Sequence, residues 1–114
     1  MVTDSLIKEI TQLHADICSA LADPRRILIL YALAEQPRNV SELAQDLGIS
    51  QPAASRHLNI LRERGMVTAH REGQSMVYQL RDDRTIQALD LLRGVLGETL
   101  KSRGQLAQAV FEEE

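Results

Sequence analysis

Between Asn39 and Gly65 the chain carries two sets of helix start and stop signals, placed back to back. The side-chain oxygen of Asn39 suits a helix N-cap. Glu42, three residues on, can return a bond to the backbone of the cap. Gly48 suits the left-handed residue that closes a helix. Ser50 then offers a second cap, Pro52 is tolerated in a first turn, and Gly65 marks the next stop. Two short helices, the second over about 51–64, are thus joined by a tight glycine-containing turn. That arrangement is the mark of a helix-turn-helix.

The flanking segments extend the pattern. Residues 4–21 read as an amphipathic helix, with Leu6, Ile10, Leu13, Ile17 and Leu21 at spacings of four, three, four and four. Asp23 caps and Pro24 starts a second helix, roughly 24–35, with Ile27, Leu28, Ile29, Leu30 and Leu33 on more than one face. Gln36-Pro37-Arg38 ends it. After Gly65 the period changes to two. Met66–Arg71 and Ser75–Leu80 read as strands around a turn at Glu72-Gly73-Gln74. Residues 83–110 return to helical spacing through Ile86, Leu89, Leu96 and Leu100. Gly94, Gly97 and Gly104 imply either a break or the close approach of another helix. The fold class is mainly α with a β-hairpin (α+β). Four helices, a hairpin and a fifth helix form a winged helix-turn-helix.

At 114 residues the chain is one domain, 1–114, with 112–114 frayed. Aromatics are 3%, so the core rests on Leu, Ile, Val and Ala. The single Cys18 excludes an internal disulfide. No apolar run nears the length of a membrane span, and the opening MVTDSLIKEI is not a secretory signal, so a cytoplasmic protein is expected. No phosphate loop, paired metal motif or nucleophile elbow appears, and neither His57 nor His70 has a neighbouring nucleophile. No enzyme and no cofactor are expected.

On the fourth helix Ala54, Leu58 and Leu61 share one face, helped by Ile60 and Ile49. Ser50, Gln51, Pro52, Ser55, Arg56 and Asn59 lie toward the other face. Gln, Asn, Arg and Ser are the side chains that read base edges, and recognition helices do so near their N-terminal half. His57 fits a backbone contact. Arg62, Arg64, Arg71, Gln74 and Arg81 flank the groove as phosphate contacts. A face of this composition is also what a merely solvated helix presents. Charge supports the first reading. The net charge is −3, but residues 24–81 carry +3 while residues 1–23 and 82–114 carry −3 each. A basic module between acidic ends can meet a polyanion.

The segments ALADPRRILILYAL (20–33), VSELAQDLGISQPAASRHLNILRERGMV (40–67) and HREGQSMVYQL (70–80) resemble the ArsR/SmtB family of bacterial winged-helix repressors. The resemblance implies a homodimer joined by the first and last helices. It also implies repression through operator binding, released by an inducer. On this reading 24–81 is the DNA-binding module, and 1–22 and 83–111 are dimerisation helices. Neither terminal stripe has a second core of its own to cover it. Leu6, Ile10, Leu13 and Ile17, with Ile86, Leu89, Leu96 and Leu100, would meet a symmetry mate, and Gly94 and Gly97 would permit close approach. Two recognition helices would then read a palindrome in double-stranded DNA.

The inducer stays open. Where some relatives carry Cys-Val-Cys, this chain has Asn39-Val40-Ser41. Asp82 and Asp83 are present near the last helix, but no His follows His70. No metal is expected there. His14 and Cys18 stand four apart on the first helix, so two chains could present a His₂Cys₂ set or a disulfide. Alternatively Cys18 is a small buried hydrophobe. The competing function is a winged-helix protein–protein interaction module without DNA binding.

Overall fold

A computed structural model describes residues 1–112. Glu113 and Glu114, part of the expected frayed end, lie outside the described residues, and Glu112 is the last helical residue. Residues Met1–Asp83 form one compact unit and the chain from Arg84 onward forms another.

The first unit begins with α1 (Asp4–Leu13), where the Thr3 hydroxyl accepts from the Leu6 N–H at 3.1 Å and Asp4 sits in the first turn. The expected single helix over 4–21 changes character midway. A π-helical turn spans His14–Cys18, and the Ser19 N–H reaches back five residues to the His14 carbonyl. Then α2 (Pro24–Glu35) starts under the Asp23 cap, which accepts from the Arg25 N–H at 2.9 Å, with Pro24 in its first turn. The capping box of α3 (Val40–Leu47) forms in both directions. Asn39 accepts from the Glu42 N–H at 2.8 Å, and Glu42 accepts from the Asn39 N–H at 3.0 Å. Gly48 takes φ 65° to close that helix. Ser50 caps α4 (Gln51–Glu63).

The hairpin consists of β2 (Val67–Glu72) and β3 (Ser75–Leu80), in register from Val67↔Leu80 to Glu72↔Ser75. A third strand, β1 (Arg38–Asn39), pairs antiparallel with β3 through Arg38↔Tyr78 and Asn39↔Val77, so the sheet order is β1-β3-β2. Two residues are too short to show a period of two, and nothing in the sequence announces this strand. Arg38 donates to Glu35 at 2.8 Å and also to Asp46, tying the end of α2 to α3.

The core of this unit is aliphatic as composition requires. Ile29, Leu30 and Leu33 of α2 are buried, as are Leu43 and Ala44 of α3 and Ala54, Leu58 and Leu61 of α4. Met66, Val67 and Tyr78 join them from the sheet side. Each fully buried Leu or Ile contributes about 1.5–3 kcal/mol. Leu28 departs from the expectation that α2 is central throughout, being 55% exposed.

The second unit contains α5 (Arg84–Glu112), which runs unbroken through Gly94, Gly97 and Gly104. A Cβ at any of the three would meet nothing within 4 Å. Of the two alternatives drawn from these glycines, the break is absent.

Two apolar stripes remain uncovered. No residue of α1 is buried, and Leu6, Ile10 and Leu13 are joined by Ile7 on its exposed surface, with Ile17 exposed on the π-helical turn that follows. On α5, Leu96 and Leu100 are exposed, along with Leu91, Leu92 and Val95. Ile86 is half-buried. Leu89, expected on the same stripe, is instead buried.

Candidate nucleic-acid interface

The recognition surface is built from the caps upward. The Ser50 hydroxyl accepts from the Ala53 N–H at 3.2 Å, which satisfies one of the free donors of the first turn of α4. Ala54, Leu58 and Leu61 are fully buried, so the rotation of α4 about its axis is set by one apolar face. That rotation leaves Gln51, Pro52, Arg56, Asn59 and Arg62 exposed and Ser55 half-buried. Ser50 is exposed too, with its oxygen engaged in the cap. The Gln51 amide donates through Nε2 to the Ser41 hydroxyl of α3 at 3.3 Å.

Two expected contact residues sit elsewhere. His57 is buried at 8% exposure and its ring faces Arg26, with Nδ1 3.4 Å from the Arg26 Nη1. A guanidinium can only donate, so Nδ1 accepts and the ring is held neutral with its proton on Nε2. Burial holds the His57 pKa below its ordinary value. The nearby Asp23 carboxylate opposes that shift, and Arg25, Arg26 and Arg56 add to it. Arg26 also donates to the Ala20 carbonyl at 2.6 Å and the Ser19 carbonyl at 3.3 Å, so His57 belongs to a buried polar joint and not to the exposed face. Arg64, expected on phosphate, turns back onto the π-helical turn. It donates to the Ala15 carbonyl and lies 3.3 Å from Asp16 Oδ1 and 3.4 Å from Ser19 Oγ. Its Nη1 is committed to these contacts.

Beside α4 stands the hairpin. Gly73 takes φ 62° in its two-residue turn, and Arg71 and Gln74 are exposed next to it. His70 is exposed, with Nε2 3.0 Å from Glu72 Oε1. Arg81 is also exposed, and its N–H bonds the Met66 carbonyl at 3.2 Å. Sequence reasoning missed Ser41 and Arg26. Ser41 carries a local signal, since it lies in the first turn of the first helix of the pair. Arg26 carries none, because its partner is 31 residues away.

Among the described residues, no three His, Cys, Asp or Glu side chains are grouped to hold a metal. Asn39 is committed to the cap of α3. His14 and Cys18 are both exposed in the single chain, at the π-helical turn.

A helix-turn-helix whose second helix exposes a polar face beside a β-hairpin defines the class as a winged helix-turn-helix. Residues 23–69 match the family described as "Bacterial regulatory protein, arsR family". The chain is 34% identical over 90 residues to the nodulation protein NolR of Rhizobium meliloti, covering 79% of this chain and 74% of NolR. It is 41% identical over 75 residues to the HTH-type transcriptional repressor SmtB of Mycobacterium tuberculosis, covering 66% of this chain and 56% of SmtB. Among solved structures it is similar, at TM-score 0.75 and 31% identity, to a homodimeric winged helix-turn-helix DNA-binding domain from Mycobacterium bovis. That domain is described as a possible ArsR-family transcriptional regulator, and the similarity covers 87% of this chain and 91% of the domain. The chain belongs to the arsR family of bacterial transcriptional regulators. No helix among the described residues is long and apolar enough to cross a membrane.

Proposed function

We propose that the protein is a cytoplasmic, homodimeric repressor that binds a palindromic operator in duplex DNA and releases it on meeting an inducer. The observation that carries this reading is the exposed face of α4. Gln51, Arg56 and Asn59 are presented together there, with Arg62 at the far end and Arg71 and Gln74 on the adjoining wing. Arg56 and Asn59 have the donors and acceptors to read base edges, and Arg62 and Arg71 suit phosphate. The uncovered stripes of α1 and α5 support pairing with a second copy. A structurally similar domain that is homodimeric supports it further.

Fluorescence anisotropy with a duplex from upstream of the protein's own coding sequence, at two salt concentrations, tests the reading. Saturable binding that weakens with salt is expected. Absent or salt-insensitive binding would favour a protein-binding winged helix instead.

A further inference from the structure

Gln51 opens α4 and Ser41 lies in the first turn of α3, and the two side chains meet across the turn that joins the helices. Each is fixed from below. The reciprocal Asn39–Glu42 capping box holds the start of α3, and the Ser50 cap and Pro52 hold the start of α4. The hydrogen bond therefore spans two capped helix starts. Both residues are exposed, so nothing else in the described chain covers this pair.

Bonding one amide hydrogen to Ser41 leaves the rest of the Gln51 carboxamide available. The amide has two N–H donors and one carbonyl oxygen. Ser41 takes one N–H. When that N–H is the one pointing away from the carbonyl, the oxygen and the other N–H remain side by side, one acceptor and one donor. That pair matches the major-groove edge of adenine, whose N6 amino group donates and whose N7 accepts. A Gln without a partner samples many side-chain positions. The Ser41 hydroxyl can accept from the amide N–H or donate to its oxygen, so it fixes where the Gln51 amide sits in either orientation.

We infer that Ser41 is a positioning residue that holds the Gln51 amide in place at the start of α4 and thereby sharpens the selection of adenine at one position of each operator half-site. The inference rests on the DNA-binding reading above. Ser41 carries the effect through Gln51 and contacts no base itself.

Selection from a randomised duplex library, followed by competition between duplexes that differ at one position, tests it on the full-length protein. Wild type is expected to enrich adenine at a fixed position of each half-site. Gln51→Ala should lose that preference by about 5- to 150-fold while preferences at other positions persist. Ser41→Ala should lower the same preference by about 2- to 10-fold, the value of one hydrogen bond, with other positions unchanged. Ser41→Thr, which keeps the hydroxyl, should restore it. A Ser41→Ala protein that keeps full adenine preference at the position Gln51→Ala abolishes would sink the positioning role and leave DNA binding standing. A Gln51→Ala protein with an unchanged consensus would remove Gln51 as a reader. Failure of wild type to enrich any sequence would instead overturn the DNA-binding reading itself. Circular dichroism of each variant separates these results from misfolding.

Discussion

Arg62 and Arg64 are two residues apart and chemically alike, yet their side chains have different work. Arg62 is exposed on the last turn of α4, while Arg64 is tied to Ala15, Asp16 and Ser19. Replacing Arg62 with Ala should therefore lower the slope of log affinity against log salt by about one phosphate's worth, and Arg64→Ala should leave it unchanged. A salt titration of the two variants decides this, and equal slopes would show that Arg64 swings out onto DNA. Arg56→Ala should cost about 1–3 kcal/mol in specific binding and relax preference at the base it reads, checked by competition against mutated operator duplexes. His57 carries a pH prediction. Its folded pKa is depressed, chiefly by burial, below the ordinary 6.5. Below pH 6.5 the unfolded chain binds a proton that the folded chain refuses, so this contribution is complete above 6.5 and declines as the pH falls beneath it. Thermal melts at pH 7.5 and 5.5 should show a larger loss for wild type than for His57→Gln, which keeps an acceptor for Arg26 but does not titrate. None of these placements follows from residue type alone. The Arg26–His57 and Arg64–Asp16 contacts join segments 31 and 48 residues apart.

Among the elements, those with local causes were legible. The caps at Asp23, Asn39 and Ser50, the left-handed Gly48, Gly65 and Gly73, and the 54/58/61 apolar face all stand where their chemistry requires. Removing the Ser50 cap with Ser50→Ala should cost about 1 kcal/mol, and Leu58→Ala about 2–5 kcal/mol because it leaves a hole in a closed core. Urea denaturation of both variants measures the difference, and a smaller loss for Leu58→Ala than for Ser50→Ala would contradict the core described above. The illegible elements were the π-helical turn and β1. The turn coincides with Ala15, whose carbonyl accepts from both Ser19 and Arg64. The strand exists through its partners Val77 and Tyr78 on β3. Both depend on chain that lies far away in sequence. The uninterrupted α5 removes the break, one of the two alternatives its three glycines left open, because they lower helix propensity without forbidding a helix.

For the whole molecule, charge and apolar surface are separated along the chain. The basic segment 24–81 contains the recognition helix and wing, and the acidic terminal segments contain the exposed stripes of α1 and α5. If a second copy covers those stripes, Ile10→Glu or Leu96→Glu should yield monomers by sedimentation velocity, with operator affinity falling because two linked half-site contacts become one. A monomeric wild type, or unchanged dimers in both variants, would contradict the arrangement. The order of the elements, their caps, the apolar face of α4 and the location of the basic module can be read along the chain. Those properties arise from neighbours within a few residues, through capping geometry and side-chain periodicity. Folding settles which polar residues remain available. It withdrew His57 and Arg64 into internal contacts, added β1 to the sheet and brought Ser41 to Gln51. The reason is physical: a hydrogen bond or a buried ring needs a partner in space, and folding, not sequence distance, decides where that partner lies.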